Sequence, residues 1–321
     1  MLLPMLLLLS AAQAQSFQTD TTVSVSQGTR LKIENQGGDI TVRTWDRSQV
    51  RIQAAHSRRT HVRIRQSGVV LSLESEADRG PANMVDYEVT VPTWMALNLG
   101  GLYATVSVDG SRAAIAVETI EGDITVKGGA ESVKLSSVQG RISLSGARGR
   151  IELNSVGEDI EVSDVQGDLV AESVSGDIIM RRLDVKNLEV EAVSGEMIYE
   201  GRVADGGRYS ILTHSGEIYF SVPEGANATI ATAIGSGDVR ASFTLPQSER
   251  ASRRRQSFRL GSGSAVVELE TFSGDIRLMR PAELAARLDQ RQRIREEKEA
   301  LKRANRPRPE QDSDNENHRE I

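Results

Sequence analysis

Between Glu118 and Met180 an apolar residue follows each turn at a fixed interval of nine: Ile124, Val133, Ile142, Ile151, Ile160, Leu169 and Ile178. The residue two places further on is apolar each time, from Val126 to Met180, and polar residues lie between. Such alternation marks a strand with one buried face, and a turn residue, usually glycine, stands before each strand. One strand and one turn cannot bury their own apolar side, so the units must stack around a shared core. The turns change character every 18 residues, with Thr119-Ile120, Ser137-Val138, Ser155-Val156 and Ser173-Val174 forming one set. The expected fold is therefore all-β, a single-stranded, two-sided β-solenoid with about 18 residues per coil. A three-sided coil of about 27 residues is the alternative reading of the same spacing. Stacked coils would bring residues 18 apart to within about 4.8 Å, which puts Asp123, Arg141, Asp159 and Asp177 on one ladder.

The rest of the chain divides around this repeat. Residues 1–14, with an apolar run from Leu2 to Leu9 and the small residues of Ala12-Gln13-Ala14, read as a secretory signal peptide. Residues 15–110 hold less regular strands that start and cap the stack, with Trp45, Tyr87 and Trp94 as plugs for its open end. Residues 111–280 are the repeat region. After Met180 the turn motif continues as Ser194-Gly195-Glu196, Ser215-Gly216-Glu217, Ser236-Gly237-Asp238 and Ser273-Gly274-Asp275, at longer spacings that imply loops inserted at the turns. The largest such loop runs from Gln247 to Ser264. Residues 281–304 are rich in Ala, Leu, Glu, Arg and Lys and predict a charged helix with a thin apolar stripe. Residues 305–321, with two prolines and many acids and amides, predict a disordered tail.

Composition narrows the chemistry. The chain has no cysteine, which excludes disulfides, thiol catalysis and cysteine-held metals. Its net charge of −6 argues against nucleic acid as a partner. Nonapeptide repeats can bind calcium, but that requires several glycine carbonyls and an acid in every turn, and here Arg141 and Arg150 stand where acids would be needed. A glycoside-cleaving site needs two acids set across a cleft, whereas the acids here recur in turn after turn. The histidines (His56, His61, His214 and His318) show no ligand spacing. No cofactor, metal or catalytic residue is expected, and the protein is read as a non-enzyme.

Two surface features point to partners. Alternation turns the middle residue of each strand outward, so Ile179, Ile198 and Tyr219 form an apolar stripe on consecutive coils, either an interaction surface or one covered by a loop or by Leu284 and Leu288 of the tail. Arg250, Arg253, Arg254, Arg255 and Arg259 form a basic cluster, read first as a solvated loop and otherwise as a contact for envelope phosphate or anionic lipid.

The ladder of Ser-Gly-Asp-Ile and Ser-Gly-Glu-Ile turns, the early Gly37-Gly38-Asp39-Ile40-Thr41-Val42, the Val89-Thr90-Val91-Pro92 segment and the closing Phe272–Leu278 stretch together resemble the adhesin-like β-strand-repeat proteins of domain-of-unknown-function family 4097. The resemblance runs from about Thr22 to Leu278, and the charged helical tail departs from it. It implies a cell-envelope β-solenoid without an established enzymatic activity, and no catalytic residues carry over. The function expected is that of an exported envelope scaffold or adhesin-like binding surface, lying in the periplasm, on the outer surface or secreted. The alternatives are an envelope sensing module and, third, a carbohydrate-active β-helix enzyme. Its partner would be an envelope protein, a polysaccharide or a lipid surface, with no transmembrane span in the mature chain.

Overall fold

The computed structural model describes residues 19–304, apart from 79, 81–83, 247–249 and 253. They form an all-β body of 26 strands followed by one helix. The strands obey the alternation in the sequence. In Ser132–Gln139, for example, Val133, Leu135 and Ser137 are buried while the residues between them face outward. One continuous apolar core gathers these inward rows from two sheets.

The pairing is parallel through the repeat. In one sheet Ile115 stands beside Val133, Val133 beside Ile151 and Ile151 beside Leu169. In the other, Ile124, Ile142, Ile160 and Ile178 stand in one row. The chain passes from one sheet to the other and back, and the strand Ile178–Ser194 turns that corner without a break, pairing in both sheets. Arg182, in the left-handed region at φ 52°, sits at its bend and holds Asp164 of the preceding turn at 2.6 Å.

The order of the stack departs from the order of the chain at both ends. Arg30–Gly37 lies between Val70–Ala77 and Ala96–Tyr103. Ile40–Trp45 likewise lies between Asp86–Pro92 and Val106–Ser111. At the far end Ala265–Ser273 is inserted between Arg208–Ser215 and Ala228–Ser236. Ile276–Met279 follows suit between Ile218–Ser221 and Val239–Ala241. The long interval between Gly237 and Gly274 is therefore not a simple loop insertion. A strand pair is laid down as the outer layer, and the chain then returns to fill the layer beneath it.

Antiparallel strands close the ends. Gln49–Ala55 and Thr19–Ser24 cover one sheet and Thr60–Ser67 the other. At the opposite end Arg255–Leu260 and Arg250–Ser252 form a hairpin on Ala228–Ser236, so the segment read as a basic loop is mostly strand. Such caps use up strand edges that would otherwise template pairing with another chain. Of the three aromatic plugs, Tyr87 is buried, Trp94 packs against the core, and Trp45 donates from its indole Nε1 to the Gln49 carbonyl at 2.7 Å.

The helix Pro281–Ala304 carries Glu283 in its first turn. Leu284 and Leu288, one turn apart, are buried, and Ile294 and Leu301 are exposed. Among the described residues no helix is long and apolar enough to cross a membrane.

Candidate functional site

The turn that follows each strand of the Ile115-to-Ser173 sheet is built from three positions. The first is an inward Ser or Thr. Thr119 donates to the Gly122 carbonyl at 3.3 Å, Ser155 to that of Glu158 at 2.7 Å and Ser173 to that of Ser175 at 2.8 Å. These short hydroxyls bond turn carbonyls that would otherwise lack a partner beside the core. The second position is the glycine, packed against the backbone of the coil below. The third is an acid in every one of these turns but that of Arg141. Asp123 Oδ1 accepts the backbone N–H of Arg141 at 2.8 Å, Asp159 that of Asp177 at 2.9 Å and Asp177 that of Glu196 at 2.7 Å. The same bond recurs in the displaced layers, from Asp39 N–H to Asp86 and from Asp238 N–H to Asp275 at 3.0 Å each. The Asp238 N–H, followed by Arg240 and Arg277, holds the Asp275 carboxyl below the usual range.

These acids are thus structural brackets from coil to coil. Asp177→Ala is expected to cost about 1–3 kcal/mol, because it strands the Glu196 N–H, while Asp177→Asn keeps an acceptor and should cost under about 1 kcal/mol. Denaturant midpoints of the two variants check this; equal losses would mean that the bracket is not what the carboxylate supplies. Among the described residues no group of three or more His, Asp or Glu side chains is placed to hold a metal ion. His61 meets Asp78 at 2.9 Å on the surface, a pairing that sequence distance conceals, and His56 Nε2 lies 3.0 Å from the Thr19 hydroxyl.

Because the Ser or Thr points inward, and Gly101 and Ala192 hold the same register position, the residue after it must point outward. That residue is apolar in layer after layer. Leu102, Ile120, Val138, Val156, Val174 and Val193 are each between 40% and 52% exposed. The strand registers on either side set them next to one another as a single row along one edge of the stack. The row continues with His214 and Phe272, whose rings stack at 5.0 Å with an interplanar angle of 4°. Isolated exposed valines are ordinary, but a contiguous row marks an interaction surface.

Two residues back along each strand, on the same outer side, runs a second row that includes Glu118, Glu172, Glu191 and Glu270, all exposed. None of these four has an ion-pair partner among the described residues. Lys134 is bound to Glu152 at 2.8 Å, and Glu118 and Glu172 act on its ammonium through space. The space over the two rows is concave. One hollow of about 650 Å³ is lined by Leu102, Ile120, Val138, Glu34, Glu74 and Glu118 among others. A second of about 370 Å³ is lined by Val138, Val156, Val174, Val193, Glu172 and Glu191. Both include Ser136 and Val138, so they adjoin as one shallow groove, apolar along its rim, with Ser136 and Asn154 standing between Glu118 and Glu172 along its wall.

The residues singled out from the sequence lie elsewhere. Ile179, Ile198 and Tyr219 do fall into one register across adjoining strands. They are not an open surface, however, at 8%, 0% and 1% exposed. The Arg277 guanidinium lies over the Tyr219 ring at 5.3 Å, and the Tyr219 hydroxyl donates to the Glu217 carboxylate. Strand alternation identified the outward face correctly, but outward from the sheet is not the same as wet, and large apolar side chains in one row favour being covered. Of the arginines, Arg254, Arg255 and Arg259 are exposed, Arg250 begins the outer hairpin strand, and Arg253 lies outside the described residues.

Fold and edge together define an all-β repeat protein with a lengthwise groove. The chain belongs to the Toastrack DUF4097 family, whose model matches residues 28–279. Among solved structures it is similar to a candidate adhesin from Bacteroides fragilis, at 11% identity over 81% of this chain and 96% of that one, with a TM-score of 0.41. A candidate lipid-binding protein from Parabacteroides distasonis gives 10% identity, 81% and 96% coverage and a TM-score of 0.40. A candidate cell adhesion protein from Clostridium sporogenes gives 10%, 82% and 99%, with a TM-score of 0.22. Comparison with curated proteins finds no match.

Proposed function

We propose that this protein is an exported, non-enzymatic, two-faced β-solenoid of about 18 residues per coil that serves the cell envelope as an adhesin-like binding scaffold. The observation that carries the reading is the apolar row from Leu102 to Val193, held open to solvent in a groove with an acidic wall. A row repeated coil by coil binds through many weak, identical contacts on a rigid frame, which loses little entropy when a partner is engaged. The 18-residue registers of the central strands support the coil size. The apolar start of the chain and its Ala12-Gln13-Ala14 site, outside the described residues, support export. The exposed Arg254, Arg255 and Arg259 of the end hairpin would add contact to envelope phosphate in the same setting.

The test is sedimentation with envelope fragments from cells that make the protein, using the chain from Gln15 to Ile321. Wild type is expected to pellet with the fragments, and a Val156→Ser, Val174→Ser variant to remain largely in the supernatant. Both side chains are half exposed, so the variant should keep its thermal midpoint. Equal pelleting of the two, or no pelleting of either, would remove the groove from this role.

A further inference from the structure

The groove has a chemistry that selects among partners, provided that it is the binding surface proposed above. We propose that it takes a cationic amphipathic α-helix lying along the axis of the stack, with the helix's apolar stripe on the Leu102-to-Val193 row and its Lys or Arg row facing Glu118, Glu172 and Glu191.

Three features favour this occupant. The first is spacing. Successive coils rise by about 4.8 Å, and one helical turn rises by about 5.4 Å, so an apolar residue per turn keeps step with an apolar residue per coil. The drift over the five steps from Leu102 to Val193 is about 3 Å, so the match is best over three or four adjoining coils, and the whole row spans the length of about 16 helical residues. The second is lateral geometry. The acidic row stands two residues along the strand from the apolar row, about 6.6 Å away, where the flank of a helix seated on the apolar row would place its next side chains. The third is charge. Glu118, Glu172 and Glu191 carry no ion pair among the described residues, and Lys134, which Glu118 and Glu172 reach only through space, is already paired with Glu152, so the three favour a cation and oppose an anionic membrane surface.

The backbone argues against the other common mode of peptide capture. Along this edge the N–H and C=O groups are already used between coils, for instance from Val156 N–H to the Ser137 carbonyl and from Val174 N–H to that of Ser155. An incoming strand would find no free ladder there, whereas a helix, satisfied within itself, needs only the groove. The row is also mostly aliphatic, with its one aromatic step at His214 and Phe272, and so lacks the repeated flat platforms that sugars stack on.

The experiment is fluorescence anisotropy with the chain from Gln15 to Ile321 and a labelled synthetic peptide of about 18 residues, made of leucine and lysine with one leucine stripe. Its companions are a scrambled peptide of the same composition, a leucine–glutamate counterpart, and vesicles of anionic phosphatidylglycerol. The striped cationic peptide is expected to bind wild type at least about tenfold tighter than either companion peptide. Glu118→Gln, Glu172→Gln, Glu191→Gln together should weaken it by about tenfold at low salt and flatten its salt dependence. Val156→Ser, Val174→Ser should weaken it by a similar factor at any salt. Equal binding of the scrambled or acidic peptide overturns the proposal, as does vesicle binding that depends on the same valines. Valine-dependent envelope binding without peptide binding overturns the helix and leaves the scaffold. Peptide binding without envelope sedimentation supports the helix and removes the envelope role.

Discussion

Replacing Gly195 by alanine is expected to destabilise the protein by about 3 kcal/mol or more, a large share of the stability of an ordinary domain. Gly195 has φ 121°, and a Cβ placed on it would lie 2.2 Å from the Gly176 carbonyl oxygen of the coil below. The obstacle is backbone, which cannot swing aside as a long side chain would. Raising the turn to make room would also strain the bond from Glu196 N–H to Asp177, which holds the same pair of coils. Gly225 supplies the comparison. It too has a positive φ, 72°, but nothing stands within 4 Å of its would-be Cβ. Gly225→Ala should therefore cost only about 1 kcal/mol, the conformational part alone. Urea unfolding of both variants separates the terms. Similar losses would mean that the close approach of coils at Gly195 is not a constraint.

The second large effect is expected at Phe220, where truncation to alanine should cost about 3–5 kcal/mol. Its ring stacks on Tyr199 at 4.8 Å and 13° and meets Tyr209 edge-on at 6.1 Å. The phenols are tied in turn. Tyr199 donates to the Arg202 carbonyl at 2.7 Å, and Tyr209 donates to that of Val185 at 2.9 Å while accepting the Ala204 N–H at 2.8 Å. Burial raises the pKa of both hydroxyls above the tyrosine range, so these rings are held neutral in the core. Losing Phe220 would leave a cavity between two anchored rings that cannot collapse into it, which places the cost toward the upper end for such changes. Tyr199→Phe, which removes one hydrogen bond and no volume, should cost about 1 kcal/mol. Calorimetry of the pair tests the assignment; a Phe220→Ala loss no greater than that of Tyr199→Phe would show that the cluster relaxes.

The strands were legible because the inward row of a coil repeats in sequence wherever it repeats in space. Ile124, Ile142, Ile160 and Ile178 announce their register directly. The order of the layers was not legible at either end. The later coils carry the same Ser-Gly-acid turn, at Ser194, Ser215, Ser236 and Ser273, so any of them can sit on any other, and nothing local says that Gly274 rests on Gly216 or that Gly237 rests on Gly274. The aromatic cluster follows a signal present in the residues. Tyr199, Tyr209 and Phe220 occur where the turn spacing grows from 18 to 19 and then 21 residues, and a wider coil needs larger side chains to fill it.

The groove was in plain view as Ile120, Val138, Val156 and Val174, which mark the alternation of the turns. Their surface character follows from a hydrogen-bonding argument rather than from periodicity. Only when Thr119, Ser137, Ser155 and Ser173 are recognised as buried does the next residue have to face water. The stripe of Ile179, Ile198 and Tyr219 illustrates the converse. Its periodicity was right, yet exposure depends on what else the chain lays over a sheet, which strand patterning does not encode.

The interleaved ends bear on how such a chain can reach its final form. A ribbon of repeats stacked in chain order could zip up from its first coil as it emerges, each layer settling on the one before. Here Ala265–Met279 must slot between layers that precede it in the chain, and Arg30–Trp45 is enclosed by layers that follow it. Neither terminus of the stack can be completed by simple vectorial growth. The last strand pair of the stack to be synthesised acts as a keystone, and until it is in place the layers around it lack the neighbours on which their strand hydrogen bonds depend.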